Sequence, residues 1–199
     1  MTLNFLPFSD FLVIVGMKAS GKTTLTKFYM RELKRFIMID PTFQLGEIGY
    51  CVHFPERILA AFKKFGKVIY QPKHMSKEAY AETFQTCLTL TNYTLGIDEI
   101  DKFASPRWYI HESVKELINR GRAQGIGLIC NTRRPHMMHN DIRSNADHII
   151  VFKLHEKRDR EYMSEWIGVD EQQIKNLPFY HSFYYDVHKN SVTSQLPLY

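Results

Sequence analysis

Gly16-Met17-Lys18-Ala19-Ser20-Gly21-Lys22-Thr23-Thr24 spells G-x-x-x-x-G-K-T, preceded by the apolar run Phe11-Leu12-Val13-Ile14-Val15 and followed by a helix-like stretch from Leu25 to Arg35. Strand, glycine-rich turn and helix in that order make a phosphate-binding P-loop. The two glycines let the backbone fold tightly enough for successive N–H groups to converge on a β-phosphate. The following helix points the positive end of its dipole at the same oxygens. Lys22 is expected to reach the β- and γ-phosphates and Thr23 to ligate Mg²⁺. All nine residues, Gly16 to Thr24, are therefore expected at the nucleotide.

Hydrolytic chemistry needs a second group of residues. Asp98 follows Tyr93-Thr94-Leu95-Gly96-Ile97, the setting of a Walker B position, in which an apolar strand aims one carboxylate at the metal shell. Glu99 can orient a water for in-line attack on a γ-phosphate, as general base or positioning group. The bland reading of Glu99 is a solvated acid at a strand end, and Asp101 stands close enough to be confused with it. Asp40 competes with Asp98 in turn, since it ends the apolar run Phe36-Ile37-Met38-Ile39. A metal carboxylate there would resemble small-molecule kinases and GTPases; the Asp98-Glu99 pair favours the later strand.

These residues must be held by a scaffold, and the chain is long enough for one. At 199 residues and 44% hydrophobic it can fill one core, while a second domain would be cramped, so residues 1–199 are expected to form a single domain. The excess of 26 Lys and Arg over 21 Asp and Glu, +5, permits a polyanionic partner without demanding one. Cys51, Cys87 and Cys130 are far apart and lack C-x-x-C spacing, which argues against a disulfide framework or a zinc site and for a reducing, intracellular setting. No apolar run approaches the roughly eighteen residues of a membrane span.

Further strands are expected at 67–70, 126–130, 148–152 and 179–187, and helices at 55–65, 77–90, 111–119, 157–166 and 171–177. The last dozen residues, about 188–199, read as a mobile tail or an arm. Short apolar runs alternating with amphipathic helices predict an α/β fold, a mostly parallel central sheet with helices on both faces and ligands at the carboxyl ends of the strands. Gly16, Asp40, Asp98, Glu99 and Asn131 are each expected just past a strand.

Four blocks together carry a resemblance: the P-loop, Ile39-Asp40-Pro41, Ile97-Asp98-Glu99, and Asn119-Arg120-Gly121-Arg122-Ala123-Gln124-Gly125 running through Ile129 to Thr132-Arg133-Arg134-Pro135. In order and spacing, over about residues 10–155, they resemble the FtsK–HerA group of DNA-pumping ATPases. At this size the chain looks like the genome-packaging ATPases of icosahedral viruses with an internal membrane. The resemblance implies a RecA-like (ASCE) P-loop NTPase that hydrolyses ATP, with Mg²⁺ on Thr23 and Asp98 and Glu99 as catalytic carboxylate. It implies an arginine finger supplied in trans by Arg120 or Arg122; a plain helix-end arginine is the bland alternative. Its partners would be double-stranded DNA, further copies of itself in a ring-shaped, hexamer-like homo-oligomer, and a capsid or vertex membrane protein. The setting would be the host cytoplasm or the virion. Where the family usually reads Thr-Gln-Arg-Pro, Arg133 replaces the glutamine thought to sense the γ-phosphate. Asn131 or Thr132 could take over as polar sensor, with Arg133 binding phosphate by charge.

Two segments have the composition to grip nucleic acid. One holds Lys102, Phe103, Arg107, Trp108 and Tyr109, the other Arg134, His136, His139 and Arg143. Ordinary loop packing is the competing explanation for each residue. Rival functions are a phage assembly or secretion ATPase of the zonula occludens toxin type, a small-molecule kinase, which should show an arginine-rich lid, and a nucleotide-dependent switch without turnover.

Overall fold

The computed structural model describes residues 9–74, 76–104 and 112–198. Its elements are β1 (Phe11–Val15), α1 (Lys22–Glu32), β2 (Phe36–Ile39), β3 (Tyr50–Val52), α2 (Ile58–Phe65), β4 (Lys67–Tyr70), α3 (Lys77–Leu88) and β5 (Tyr93–Ile97). They continue with α4 (Glu112–Arg120), β6 (Ile126–Thr132), α5 (Asn140–Asn145), β7 (His148–Phe152), α6 (Lys157–Ile167), α7 (Glu171–Asn176), β8 (Ser182–Asp186) and β9 (Ser191–Gln195). Among the described residues the strands form one sheet in the order β3-β4-β2-β5-β6-β1-β7-β8-β9. Every pairing is parallel except those of β8 with β7 and with β9.

Strands β1, β2, β5, β6 and β7 are buried along their whole length, as parallel strands covered on both faces must be. The two covers are unequal. Phe11, Val13 and Val15 of β1 face a large cluster with residues of α2 to α7, whereas Leu12 and Ile14 face a smaller one built on Leu25, Tyr29 and Met30 of α1. Leu45, Ile48 and the half-buried Leu198 complete this second cover. Among the described residues α1 is thus the one α-helix in this cover, and loop residues with the segment after β9 supply the remainder.

Strands β5 and β6 lie between β2 and β1, so the chain ends of β6, β5 and β2 stand one, two and three strand spacings from the P-loop strand. At roughly 4.8 Å per strand, Asp98 is about 10 Å across the sheet from β1 and Asp40 about 14 Å. Gly96 in β5 makes close packing possible here. A Cβ at that position would lie 2.2 Å from Met38 Sδ and 3.0 Å from Met30 Cε, so the missing side chain lets α1 settle on the sheet beside the acidic pair.

Several boundaries differ from expectation. Helix α1 begins at Lys22 rather than Leu25, and β6 runs on to Thr132, which puts Asn131 and Thr132 inside the strand rather than past it. The short β3 and α5 were not anticipated. Within the C-terminal segment, read as a mobile tail or an arm, Ser191–Gln195 pairs antiparallel with β8 from Asp186↔Ser191 to Ser182↔Gln195. Its side chains are mostly exposed, so backbone pairing makes this strand and no apolar pattern announces it. Among the described residues no helix is long and apolar enough to cross a membrane.

Gly96→Ala should lower stability by about 1–3 kcal/mol, since the two methionine ends can shift only partly. A fall in the urea midpoint with an unchanged slope checks this.

Candidate active site

The P-loop is held by its backbone. Ala19 adopts φ 61° and Gly21 φ 115°, the left-handed turns that let neighbouring N–H groups point into one concavity. A side chain at Gly16 would put its Cβ 2.5 Å from Ser20 Oγ and 2.7 Å from Phe152 Cβ. Ser20 Oγ is buried without a hydrogen-bond partner, a donor in the turn with no protein acceptor, as a phosphate seat requires. Lys22 folds back over the turn and donates to Gly16 O at 2.6 Å and Met17 O at 2.9 Å. Burial lowers its pKa from an ordinary 10.5 to about 8; Glu99 and Asp98 oppose the shift and Arg133 adds to it.

The two aspartates differ in their partners. Asp40 is fully buried, and its carboxylate accepts from Gln44 N at 3.2 Å, Leu45 N at 2.9 Å and Gln71 Nε2 at 3.0 Å, with Thr42 Oγ1 at 3.1 Å. Its lone pairs fold the loop after β2. That loop delivers Thr42 Oγ1 to Asp98 Oδ2 at 2.7 Å and places Gln44 Oε1 3.4 Å from Thr23 Oγ1. Asp98 also accepts from Asn131 Nδ2 at 3.3 Å, while Asn131 Oδ1 lies 3.0 Å from Thr26 Oγ1 of α1. Burial raises the Asp98 pKa against the lowering effect of Thr42.

Asp101 is likewise committed, accepting from Thr132 Oγ1 at 2.6 Å, while the same hydroxyl accepts from Arg134 N at 2.9 Å. Thr132 thereby clamps the loop after β5 to the end of β6. Glu99 lines a cleft with the P-loop residues Met17 and Lys18. Its backbone is left-handed, φ 55°, and its Oε1 accepts from Arg133 Nε at 2.7 Å. Met17, Lys18, Glu99, Arg133 and Arg134 line one cleft of about 320 Å³. The residue at the unusual position of the β6 motif is therefore the direct partner of the proposed catalytic acid.

Arg120 and Arg122 lie at the opposite rim. Arg120 is exposed, 3.6 Å from Glu116, whereas Arg122 pairs with the buried Asp147. Burial pushes Asp147 up, but Phe11 N–H, Arg122 and His188 together hold it below the usual carboxylate range. Strand β6 separates both arginines from the P-loop end of the sheet, a span of roughly 20 Å. Neither guanidinium can serve the P-loop of its own chain.

The gripping segments fare unequally. Phe103 is buried against Tyr80 and Phe84, a core position rather than a contact surface, and Arg107, Trp108 and Tyr109 lie outside the described residues. In the second segment, Arg134 and His136 turn toward Asp159, His139 caps α5, and Arg143 lies over Tyr162 and Trp166. Among the described residues no group of three or more His, Cys, Asp or Glu could hold a metal. The donors at hand are hard oxygens, Thr23 Oγ1 and the Asp98 carboxylate, which suits Mg²⁺ completed by phosphate and water rather than by a protein cage.

Fold and phosphate-binding loop together place the chain in the RecA-like class of P-loop folds. The strand order, with β6 between the P-loop strand and the acidic strand, is what separates it from the kinase-type arrangement. Similar solved structures include the genome packaging NTPase B204 from Sulfolobus turreted icosahedral virus 2. In complex with ATP-gammaS it has a TM-score of 0.83 and 22% identity over 98% of this chain and 100% of that one. In complex with AMPPCP it has a TM-score of 0.80 and 24% identity over 95% and 98%. VirB4 of Thermoanaerobacter pseudethanolicus follows the same fold, with a TM-score of 0.67 and 8% identity over 93% and 88%. The DNA packaging ATPase P9 of Enterobacteria phage PRD1 is 28% identical over 90 residues, 41% of this chain and two fifths (40%) of that protein's length. No protein-family model matches the chain.

Two predictions follow from the buried charges. Between pH 8 and 10.5 the folded chain holds fewer protons at Lys22 than the unfolded one, so this residue's contribution to stability rises with pH across that window. A nucleoside triphosphate restores the proton, so its affinity should fall as pH rises above about 8, with proton uptake visible by calorimetry in buffers of different ionisation enthalpy; Lys22→Met should remove the uptake. Separately, Asp40→Ala should cost about 3 kcal/mol by stranding buried donors. Asp98→Asn should cost less than about 1 kcal/mol, because burial already disfavours its charge. Urea midpoints compare the two.

Proposed function

We propose that this chain is an ATP-hydrolysing DNA translocase, the motor subunit that drives double-stranded DNA into a viral capsid. The observation that carries the hydrolytic half is the cleft in which Glu99, paired with Arg133, lies beside the P-loop residues Met17 and Lys18. The DNA half rests on the motif resemblance and on the likeness in fold and sequence to packaging ATPases of other viruses.

In this reading the loop N–H groups and Lys22 bind the β- and γ-phosphates of ATP, and Thr23 and Asp98 hold Mg²⁺. Mg²⁺ held by these two residues would supply charge neutralisation to the triphosphate. Glu99 orients the attacking water and accepts its proton. Asn131 ties Asp98 to α1 and serves as polar sensor, with Thr132 fixing the adjoining loop. A terminal phosphate in the cleft competes with Glu99 for the Arg133 guanidinium, which is how charge can do the work of the missing glutamine. Arg120 or Arg122 of a neighbouring copy completes the site, so a ring-shaped, hexamer-like assembly is the active form. The ring acts in the host cytoplasm or on the virion, docked to a capsid or vertex membrane protein.

Phosphate release should rise more than linearly with protein concentration and increase further with duplex DNA. Glu99→Gln should retain ATP binding and lose at least 100-fold in turnover. Undiminished release by that variant removes Glu99 from the mechanism, and release indifferent to DNA at low salt removes the cargo.

A further inference from the structure

Strands β3 and β9 are the two edges of the sheet. In β3, Val52 O accepts from Gln71 N at 2.9 Å, so Val52 turns its backbone groups toward β4. Backbone groups of successive strand residues point to opposite sides. The N–H and C=O of Cys51 therefore point away from the sheet, and no turn or loop among the described residues pairs with them. Gly49 (φ −163°, ψ −175°) and Phe54 (φ −129°, ψ 138°) are extended as well, so the open edge runs from Gly49 to Phe54. Such an edge is a template for another strand unless proline, charge or a covering element blunts it. Gly49-Tyr50-Cys51-Val52 contains neither a proline nor a charge.

Exposed aromatic rings flank this edge on both faces of the sheet. Val52 packs into the large cluster, and Tyr50, on the same face, stacks on Phe65 at the end of α2 with 4.0 Å between ring centroids. Cys51 packs on the smaller cluster, and on that face the His53 ring lies 17° from parallel with Phe43, 6.4 Å away. Gln71 O, 2.9 Å from His53 Nδ1, fixes the imidazole. Phe43 has a left-handed backbone, φ 58°, a strain kept only where the surroundings impose it. Its exposure is 55%, against 49% for Tyr50, 44% for Phe54 and 43% for Phe65. Single exposed rings are ordinary, but four gathered around one unpaired strand make a contact surface.

The charge around the edge selects the partner. Lys64 Nζ lies 5.1 Å from the Phe65 ring centroid and Lys73 Nζ 5.2 Å from that of Phe54, and Lys63 is exposed beside them. Across residues 53–67 the sole acid is Glu56, and Glu47 on the neighbouring loop is already paired with Lys27 at 2.6 Å. We infer that the edge from Gly49 to Phe54 docks an extended acidic segment of another protein, which adds to the sheet as a further strand and lays alternate side chains against Tyr50–Phe65 and Phe43–His53. A second copy is a poor occupant. Pairing β3 with β3 would bring lysine clusters together, and β9 carries neither an acid nor an aromatic ring. The inference goes beyond the proposed motor and stands whether or not the chain hydrolyses ATP.

Fluorescence anisotropy with a short labelled peptide that alternates glutamate with valine and phenylalanine tests this, the control being the same peptide with lysine for glutamate. The unaltered chain should hold the glutamate peptide at least about tenfold more tightly than the lysine peptide, and less tightly as salt rises. Cys51→Pro removes the outward N–H and leaves the bonds of Tyr50 and Val52 to β4, so it should weaken the glutamate peptide about tenfold at an unchanged urea midpoint. Lys64→Glu combined with Lys73→Glu should reverse the preference between the peptides. This pair alters only exposed side chains and decides the matter by itself if the proline variant unfolds. No binding of the glutamate peptide, equal binding of both peptides, or binding indifferent to a folded Cys51→Pro chain would overturn the inference. Two further results would overturn it by assigning the edge elsewhere: self-association in sedimentation that Cys51→Pro abolishes, which makes the occupant a second copy, and displacement of the peptide by a single-stranded oligonucleotide, which makes it nucleic acid.

Discussion

The fully buried carboxylate of Asp40 is the constraint on which the site's geometry depends. A charge removed from water must be compensated by donors, and here the compensation comes from the loop that follows it, from Gln44 N, Leu45 N and the Thr42 hydroxyl, with Gln71 closing the set. Satisfying Asp40 therefore shapes that loop, and the loop then presents Thr42 to Asp98 and Gln44 to Thr23. The two oxygens expected at the metal, on Thr23 and Asp98, thus lie against the loop that Asp40 folds. Asn131 provides the cross-brace, linking Asp98 on β5 to Thr26 on α1.

That division of labour explains what the amino-acid order could and could not reveal. The P-loop, the principal parallel strands and the Asp98-Glu99 pair were legible because each is a local pattern, an apolar run ending in a chemically distinctive residue. Asp40 carries the same local pattern, and only the strand order, which places β2 beyond β5, and the hydrogen bonds it accepts tell the two apart. Contacts such as Arg133 to Glu99 and Asp147 to Phe11 join residues 34 and 136 positions apart, so no window of sequence contains them. Strand β9 was missed because its residues stay exposed and only backbone pairing defines it. Phe103 stayed open between two readings because an aromatic beside a lysine looks the same whether it faces solvent or, as here, Tyr80 and Phe84.

The sheet also separates two kinds of chemistry by its own length. Phosphate-facing groups gather at the carboxyl ends of β1, β5 and β6, and the arginines of the β6 approach sit at the other end beside Asp147. A single chain holds both halves and cannot bring them together, which makes contact between copies a requirement of geometry in the proposed motor rather than an added layer of control.

The left-handed backbone of Glu99 carries a cost of its own. A side chain with a Cβ is strained at φ 55°, and the strain is released by residues that tolerate that region, glycine above all. If Glu99 is the catalytic acid proposed above, the backbone gains from the very replacement that removes it, so a search for heat-resistant variants by stability alone is biased toward inactive proteins at this position. Robustness and work pull in opposite directions at a single α-carbon.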